Sequence, residues 1–374
     1  MKSRLAPIFA VTSITGFADS LVGIFVPIFL LTLGYSLTQV MAFILVRYAA
    51  ILAFALLPGL FGTRLSLKSL MVAQAPVQIA FLALLATLPR THVSIFVLAL
   101  LMGLQASLYY IPLHIFFTKA SDRDRMGHNV GLFLALPDLL STGAPLLAGF
   151  IAARFGFTPV FLLSAVLVAV SLVPLARIPS YTESVSFRLS SLRTLYAKYR
   201  TYFWLEIIEN IQEEMDGVIW PLAIYLFLHS TLGAGFVATL ISAGTAMFTY
   251  LIGRRSDHHA SRQFMLRTGA LIMLALWATR LLSLSTADII IISALVSFAT
   301  VLVVVPFNTV IYHLAGDNNT REFILFREIP VFIARAIVYT TGLYIAMDIS
   351  RLFWLAIATY ALFACLPGIK RIAA

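Results

Sequence analysis

Glu206-Ile-Ile-Glu-Asn-Ile-Gln-Glu-Glu-Met-Asp-Gly-Val-Ile-Trp-Pro221 places Glu206, Glu209, Glu213 and Asp216 at spacings of three, four and three. That spacing stacks four carboxylates on one face of a helix. The stretch runs without a break into Leu222-Ala-Ile-Tyr-Leu-Phe-Leu228, so the helix enters a membrane. A carboxylate at bilayer depth costs about 2.5–3.5 kcal/mol to insert and faces a cavity or a partner. Glu206 and Glu209 lie in the first turns, where acids meet the positive end of the helix dipole and stay wet. Glu213 and Asp216 lie deeper and need a partner or an aqueous cavity. Trp220 extends the acidic face, either to stack on a ligand or to fill space.

The composition agrees with a membrane setting. Of 374 residues 61% are hydrophobic and only 11% charged, with a mean hydropathy of +0.97. A soluble chain is nearer 45–50% apolar and roughly 25% charged. The single cysteine, Cys365, excludes an intrachain disulfide and argues against a Cys-based metal site. The start, Met-Lys-Ser-Arg-Leu-Ala-Pro, leads into apolar sequence with no small-residue cleavage site, so it reads as an uncleaved first span.

Working outward, apolar runs of bilayer length fall at about twelve places. They are Ile8–Leu33, Gln39–Phe61, Leu70–Leu88, Val93–Thr118, Gly127–Ala153 and Val160–Ala176. After a polar linker come Phe203–Leu228, Gly233–Gly253, Phe264–Leu284, Ile289–Tyr312, Phe326–Met347 and Leu352–Leu366. With both termini inside, the inner segments hold about twenty Lys and Arg against four on the outer side. This positive-inside pattern supports an even number of spans and cytoplasmic termini. It also makes the formal charge of +10 a topology signal rather than a sign of nucleic-acid binding. In the linker, Leu192, Leu195, Tyr196 and Tyr199 recur at helical spacing against Arg188, Arg193, Lys198 and Arg200. A short helix lying on the inner membrane surface is the expectation. The division is therefore residues 1–178 as a first six-helix bundle, 179–202 as an amphipathic linker, and 203–374 as a second bundle.

The halves repeat. At an offset of 194, Gly23 and Pro27 fall on Gly217 and Pro221, Gly59 on Gly253, Pro112 on Pro306, Asp19 on Glu213, and His114 on Asn308. One register shared across spans 1–4 and 7–10 is the signature of an internal repeat, and six spans per half makes the repeats parallel.

Two six-span halves, a long inner linker and both ends inside resemble the major facilitator superfamily of secondary transporters. The stretch Gly253-Arg-Arg-Ser-Asp257-His-His-Ala-Ser-Arg262 matches that family's loop between the second and third spans of a half. The first-half copy, Gly59-Leu-Phe-Gly-Thr-Arg-Leu-Ser-Leu-Lys68, has Thr63 where the aspartate belongs. Ser141-Thr-Gly-Ala-Pro-Leu-Leu-Ala-Gly149 resembles the kink motif of the family's antiporters, with Ala144 and Ala148 in place of glycines, and the antiporters' span-4 arginine is absent. The resemblance implies an all-α membrane protein of about twelve transmembrane helices in two pseudo-symmetric bundles. It also implies a central cavity lined by spans 1, 4, 7 and 10.

On that basis Asp19 and its repeat-mate Glu213 face one another across the axis. Both cannot ionise cheaply, so one holds a proton that can be emptied and refilled as the cavity changes sides. Asp19 alternatively pairs with Arg47 in span 2. Asp138 in span 5 reads as a partner within its half. Span 4 carries Ser107, Tyr110 and His114 at helical spacing, answered by Asn308 in span 10. His114 either shuttles a proton or is simply hydrogen-bonded. Glu328 and Arg335 are seven apart in span 11 and share a face, as a gate or a structural pair.

The expected function is secondary active transport of a small solute by alternating access, proton-coupled, with a cationic or polar neutral substrate. The setting is the plasma (inner) membrane and the state a monomer, with no cofactor. A divalent metal exporter and a transport-inactive receptor or scaffold are the alternatives. No Walker loop, His-Glu-x-x-His or nucleophile elbow points to an enzyme.

Overall fold

Proline decides where the first span of each half bends. Pro27 and Pro221 have no N–H, and each ring crowds the carbonyl four residues earlier, which belongs to Gly23 and to Gly217. A computed structural model of the chain describes residues 5–60, 66–91, 93–122, 125–178, 189–255, 259–282, 285–317, 319–345 and 348–365. In it α1 (Ala6–Val22) stops at Gly23 and α2 (Phe25–Thr32) resumes the rod. The first half continues with α3 (Leu37–Leu60), α4 (Leu67–Thr87), α5 (Ile95–Ala120), α6 (Met126–Ser141), α7 (Ala144–Phe155) and α8 (Thr158–Ala176). After α9 (Leu189–Lys198) come α10 (Arg200–Glu214), α11 (Trp220–Leu228), α12 (Thr231–Arg255), α13 (His259–Thr279), α14 (Thr286–Asp317), α15 (Thr320–Tyr344) and α16 (Phe353–Cys365). Between α10 and α11 the chain makes a five-residue π turn, Met215–Ile219, centred on Gly217. The two repeats thus break at equivalent glycines, each four residues ahead of its proline.

Among the described residues eight segments are long and apolar enough to cross a membrane, and Ile349–Cys365 is a shorter apolar rod. The rods α10–α11 and α15 fall outside that set because of their charge. One carries Glu206, Glu209, Glu213, Glu214 and Asp216, the other Arg321, Glu322, Arg327, Glu328 and Arg335. Their cost in a bilayer is offset only if they face each other, and α10 does pack on α15.

Within the first half α1 packs on α6 and α8, α4 on α5 and α8, and α3 on α5. Within the second, α14 packs on α12 and α13, and α16 on α10 and α13. Two seams join the halves, α3 against α15 and α6–α7 against α12. The molecule is an all-α, multi-pass membrane protein of two pseudo-symmetric six-helix bundles. In the linker, α9 buries Leu195 and sets Tyr196 edge-on to Phe203 and Tyr199 edge-on to Phe323. Gly253 lies in the last turn of α12, while Asp257 and Thr63 lie outside the described residues.

The α7–α12 seam explains the small residues of Ser141–Gly149. A Cβ on Gly149 would stand 2.6 Å from the Thr231 carbonyl oxygen, and one on Gly235 2.4 Å from that of Pro145. Ala144 and Ala148 are fully buried. Small residues allow two backbones to approach this closely, the usual device where lipid removes the hydrophobic drive between helices. Gly235→Leu should therefore overpack the seam and cost about 1–3 kcal/mol. It should lower the melting temperature in detergent, whereas Gly143→Ala, which meets nothing within 4 Å, should leave it unchanged.

Candidate functional site

The acids of α10 and the bases of α15 form two matched rungs. Glu206 and Glu214 are eight residues apart, and so are Arg327 and Arg335. At the lower rung Arg327 Nε donates to Glu206 Oε1 at 2.6 Å, with Glu206 fully buried. Asn210 Nδ2 donates to Glu206 Oε1 and to Glu209 Oε2, both at 3.2 Å. Helix α10 begins at Arg200, so Glu206 and Glu209 are not in wet first turns; both are buried. At the upper rung Arg335 Nε lies 2.8 Å from Glu214 Oε1, and its Nη2 donates to Glu213 Oε2 at 3.3 Å. The Glu213 side chain is 53% exposed, so that pair is open to water.

Glu214 is also where the halves meet. Tyr48 of α3 donates its hydroxyl to Glu214 Oε1 at 2.6 Å, and Tyr339 of α15 donates to Oε2. The Tyr48 and Tyr339 rings stack, and the guanidiniums of Arg335 and Arg47 lie 4.3 and 4.9 Å from the Tyr48 ring centroid. A cation over an aromatic face is attracted by its quadrupole. Both Glu214 oxygens accept. This ties α3 of one half to α10 and α15 of the other. Sequence spacing passed over Glu214 because it falls off the Glu206–Glu213 stripe. The signal that would have found it is the rung spacing of eight shared by the two helices.

Several expectations are corrected here. Arg335 goes to Glu213 and Glu214, not to Glu328, because α10 packs directly on α15 and brings two acids closer than a neighbour seven residues along the same helix. Glu328 has no ion pair or hydrogen bond to its carboxylate among the described residues. It lines a narrow crevice with Tyr48, Ile51, Leu52, Val331 and Arg335. Asp19 pairs with neutral donors rather than with Arg47. Gln78 Nε2 reaches its Oδ1 at 2.8 Å and the Tyr110 hydroxyl its Oδ2 at 3.1 Å. Behind Gln78 stand Gln74 and Gln105, with Gln74 donating to both. Asp19 and Glu213 make no contact; each is held by its own half.

Asp216 leaves the stripe. The π turn starts at Met215, so a regular-helix projection fails beyond Glu214. Asp216 instead takes Arg280 of the chain after α13 at 3.2 Å and the Tyr360 hydroxyl of α16 at 2.7 Å. The Arg280 guanidinium lies 4.1 and 3.9 Å from the ring centroids of Trp220 and Trp277. Trp220 is fully buried, with its N–H towards Ser293 at 3.5 Å, so it is packed within the second half and not offered to a ligand.

His114 Nδ1 is 2.7 Å from the Tyr312 hydroxyl. With Phe117 and Phe133 this pair makes an aromatic cluster across the halves at the terminus-bearing end of the bundle. Tyr110, 40% exposed, stacks on His114 and carries Asp19 on its hydroxyl. Asn308 is capped on the Val304 carbonyl at 2.9 Å. Asp138 is half-buried on α6, and its carboxylate has no partner among the described residues.

Fold and site together define a membrane protein of two helical bundles closed over a charged seam. Two solved structures share the fold. One is a bacterial homologue of the iron transporter ferroportin in its outward-facing state, with TM-score 0.68, 16% identity, and 99% of each chain covered. The other is FucP, a major facilitator superfamily transporter, in its outward conformation, with TM-score 0.66, 15% identity, and 99% of this chain and 98% of that one covered. The chain has the major facilitator superfamily fold. No protein-family profile matches it, and no curated protein matches it significantly by sequence.

The Asp216–Arg280 pair should behave as structure. Asp216→Asn leaves a guanidinium buried without its counter-charge and should cost about 3–5 kcal/mol, read as a large fall in melting temperature. Asp216→Leu with Arg280→Met should recover most of that loss, because an apolar pair of similar volume replaces the ions.

Proposed function

We propose that this protein is a secondary active transporter that moves a cationic or polar neutral solute by alternating access, coupled to protons. The supporting observation is a charge imbalance where the halves meet. Asp19, Glu206, Glu209, Glu213, Glu214 and Glu328 are six carboxylates, and Arg47, Arg327 and Arg335 are three guanidiniums. They form a continuous string: Asp19 is within electrostatic reach of Arg47, Glu209 of Glu206 and Glu213, and Glu328 of Arg327 and Arg335. Glu213 is open to water, but an excess of negative charge among the buried members of the set would still be costly, so protons or a cationic solute supply the balance. A scaffold has no use for this excess.

The placement proposed is the inner membrane of a cell, with both termini cytoplasmic and the chain working as a monomer. The ferroportin-like fold raises divalent metal export as another reading. Among the described residues no three His, Cys, Asp or Glu side chains converge on a metal position. His114 is engaged with Tyr312 rather than with Asp19. Metal export therefore has no described site to rest on.

The test is the melting temperature of the detergent-purified protein at pH 5.5 and 8 against a panel of cations, anions, sugars, peptides and metals. A ligand that binds only the folded state stabilises by RT ln(1 + [L]/Kd), about 2.7 kcal/mol at a hundredfold excess over Kd. Without ligand, stability should fall from the lower to the higher pH, since each proton lost leaves another buried charge unbalanced. A cationic or neutral polar ligand should restore it at pH 8, and Glu213→Gln should weaken that effect. A panel in which only anions stabilise the protein would overturn the cationic reading.

A further inference from the structure

The six carboxylates differ in the donors that surround them. Asp19 accepts on both oxygens, from Gln78 and Tyr110. Glu214 accepts from Tyr48 and Tyr339 and touches Arg335. Glu206, within the second half, accepts from Arg327 and Asn210 on Oε1 alone, and its Oε2 is buried without a hydrogen bond. Asp19 and Glu214 accept on both oxygens, so a proton on either would set hydrogen against hydrogen. Glu213 is open to water and paired with Arg335. Glu209 is buried beside Asn210, within the second half. Glu328 alone of the six lies in the α3–α15 seam with no donor among the described residues.

Its surroundings are mixed. On its own helix it faces Arg327 and Arg335, and from α10 it faces Glu206 and Glu213. Helix α3 presents Tyr48 in the shared crevice and Arg47 over the Tyr48 ring. Helices α5 and α14 bring His114 and Tyr312, which lie on the Arg327 side. Helix α9 reaches the start of α15 through Tyr199 on Phe323. The crevice that Glu328 lines is narrow, and Glu328 is half-buried in it.

Arg335 is within reach of an exchange. Seven residues of helix are about 10.5 Å of rise and leave two side chains on nearly the same face. An arginine and a glutamate together span that distance. Pro330 stands between them and removes one backbone hydrogen bond, which eases bending of α15 there.

Resting on the proton-coupled reading above, we propose that Glu328 carries the coupled proton and is the alternate partner of Arg335. Protonated, Glu328 leaves Arg335 on Glu213 and Glu214, and Tyr48 ties the halves together. When the Glu328 O–H bond breaks, the proton passes to water on the side then open, and the new carboxylate draws Arg335 towards it. Glu214 loses its guanidinium, the face of Tyr48 loses its cation, and the α3–α15 seam loosens.

The experiment uses the full chain in detergent with Cys365→Ser and spin labels on Thr38→Cys and Ala287→Cys. Both positions are exposed and lie at the end of the bundle away from the termini. Distance distributions are recorded by pulsed dipolar spectroscopy at pH 5 and pH 9. The unsubstituted site should shift population between the two pH values. Glu328→Gln should abolish the shift and hold the pH 5 distribution at both. Glu328→Asp, the check on folding, should keep a shift with a displaced midpoint, and Tyr48→Phe should move the pH 5 distribution towards the pH 9 one. A Glu328→Gln protein that shifts like the unsubstituted one overturns this assignment alone. If Asp138→Asn abolishes the shift in its place, the proton belongs to the other seam. No shift in the unsubstituted protein overturns proton coupling itself, and this assignment with it.

Discussion

A carboxylate taken out of water must find a donor, a counter-charge or a proton, and five acids stand between positions 206 and 216 of one membrane helix. Much of the second half is arranged to meet that demand. Helix α15 supplies Arg327 and Arg335 at the spacing of Glu206 and Glu214, which sets the register of α10 on α15. Arg280, held between two indoles, takes Asp216 once the π turn has rotated it away from its neighbours. Glu206 ties α10 to α15 within the half, and Glu214 reaches beyond it to Tyr48 of α3. One helix therefore organises its own bundle and also closes one of the two seams.

The halves repeat in backbone but not in chemistry. Gly23 and Gly217 break the first helix of each half for the same reason, a proline four residues on. Asp19 and Glu213 occupy the same register, yet neutral amide and phenol groups hold Asp19 while a guanidinium holds Glu213. The first half offers dipoles and the second offers ions. Neutral donors orient Asp19 without cancelling its charge, and Arg47 balances it in the count, so the negative excess lies on the second-half side of the seam.

The second seam is made by shape. Among the described residues α7–α12 carries no ion pair. Gly149 and Gly235 bring backbone against backbone, and the alanines beside them leave no protruding side chain. The two bundles thus meet through a polar seam on one side and a small-residue seam on the other.

Bilayer-length apolar runs, the excess of basic residues on one side, and the 194-residue repeat carried the fold, because hydropathy and proline geometry act locally along the chain. The same local rules placed Glu206, Glu213, Arg335 and Glu328 in a charged region without a tertiary structure. They could not pair them. Projection along a regular helix put Asp216 and Trp220 on the acidic face, and a single π turn removed both. It matched Arg335 to Glu328 by spacing, but α10 offered nearer acids. It omitted Glu214, whose partners lie on two other helices, one of them in the other half. Which carboxylates are satisfied and which is left over depends on side chains more than a hundred residues apart in the chain. Only the packing of helix on helix decides it.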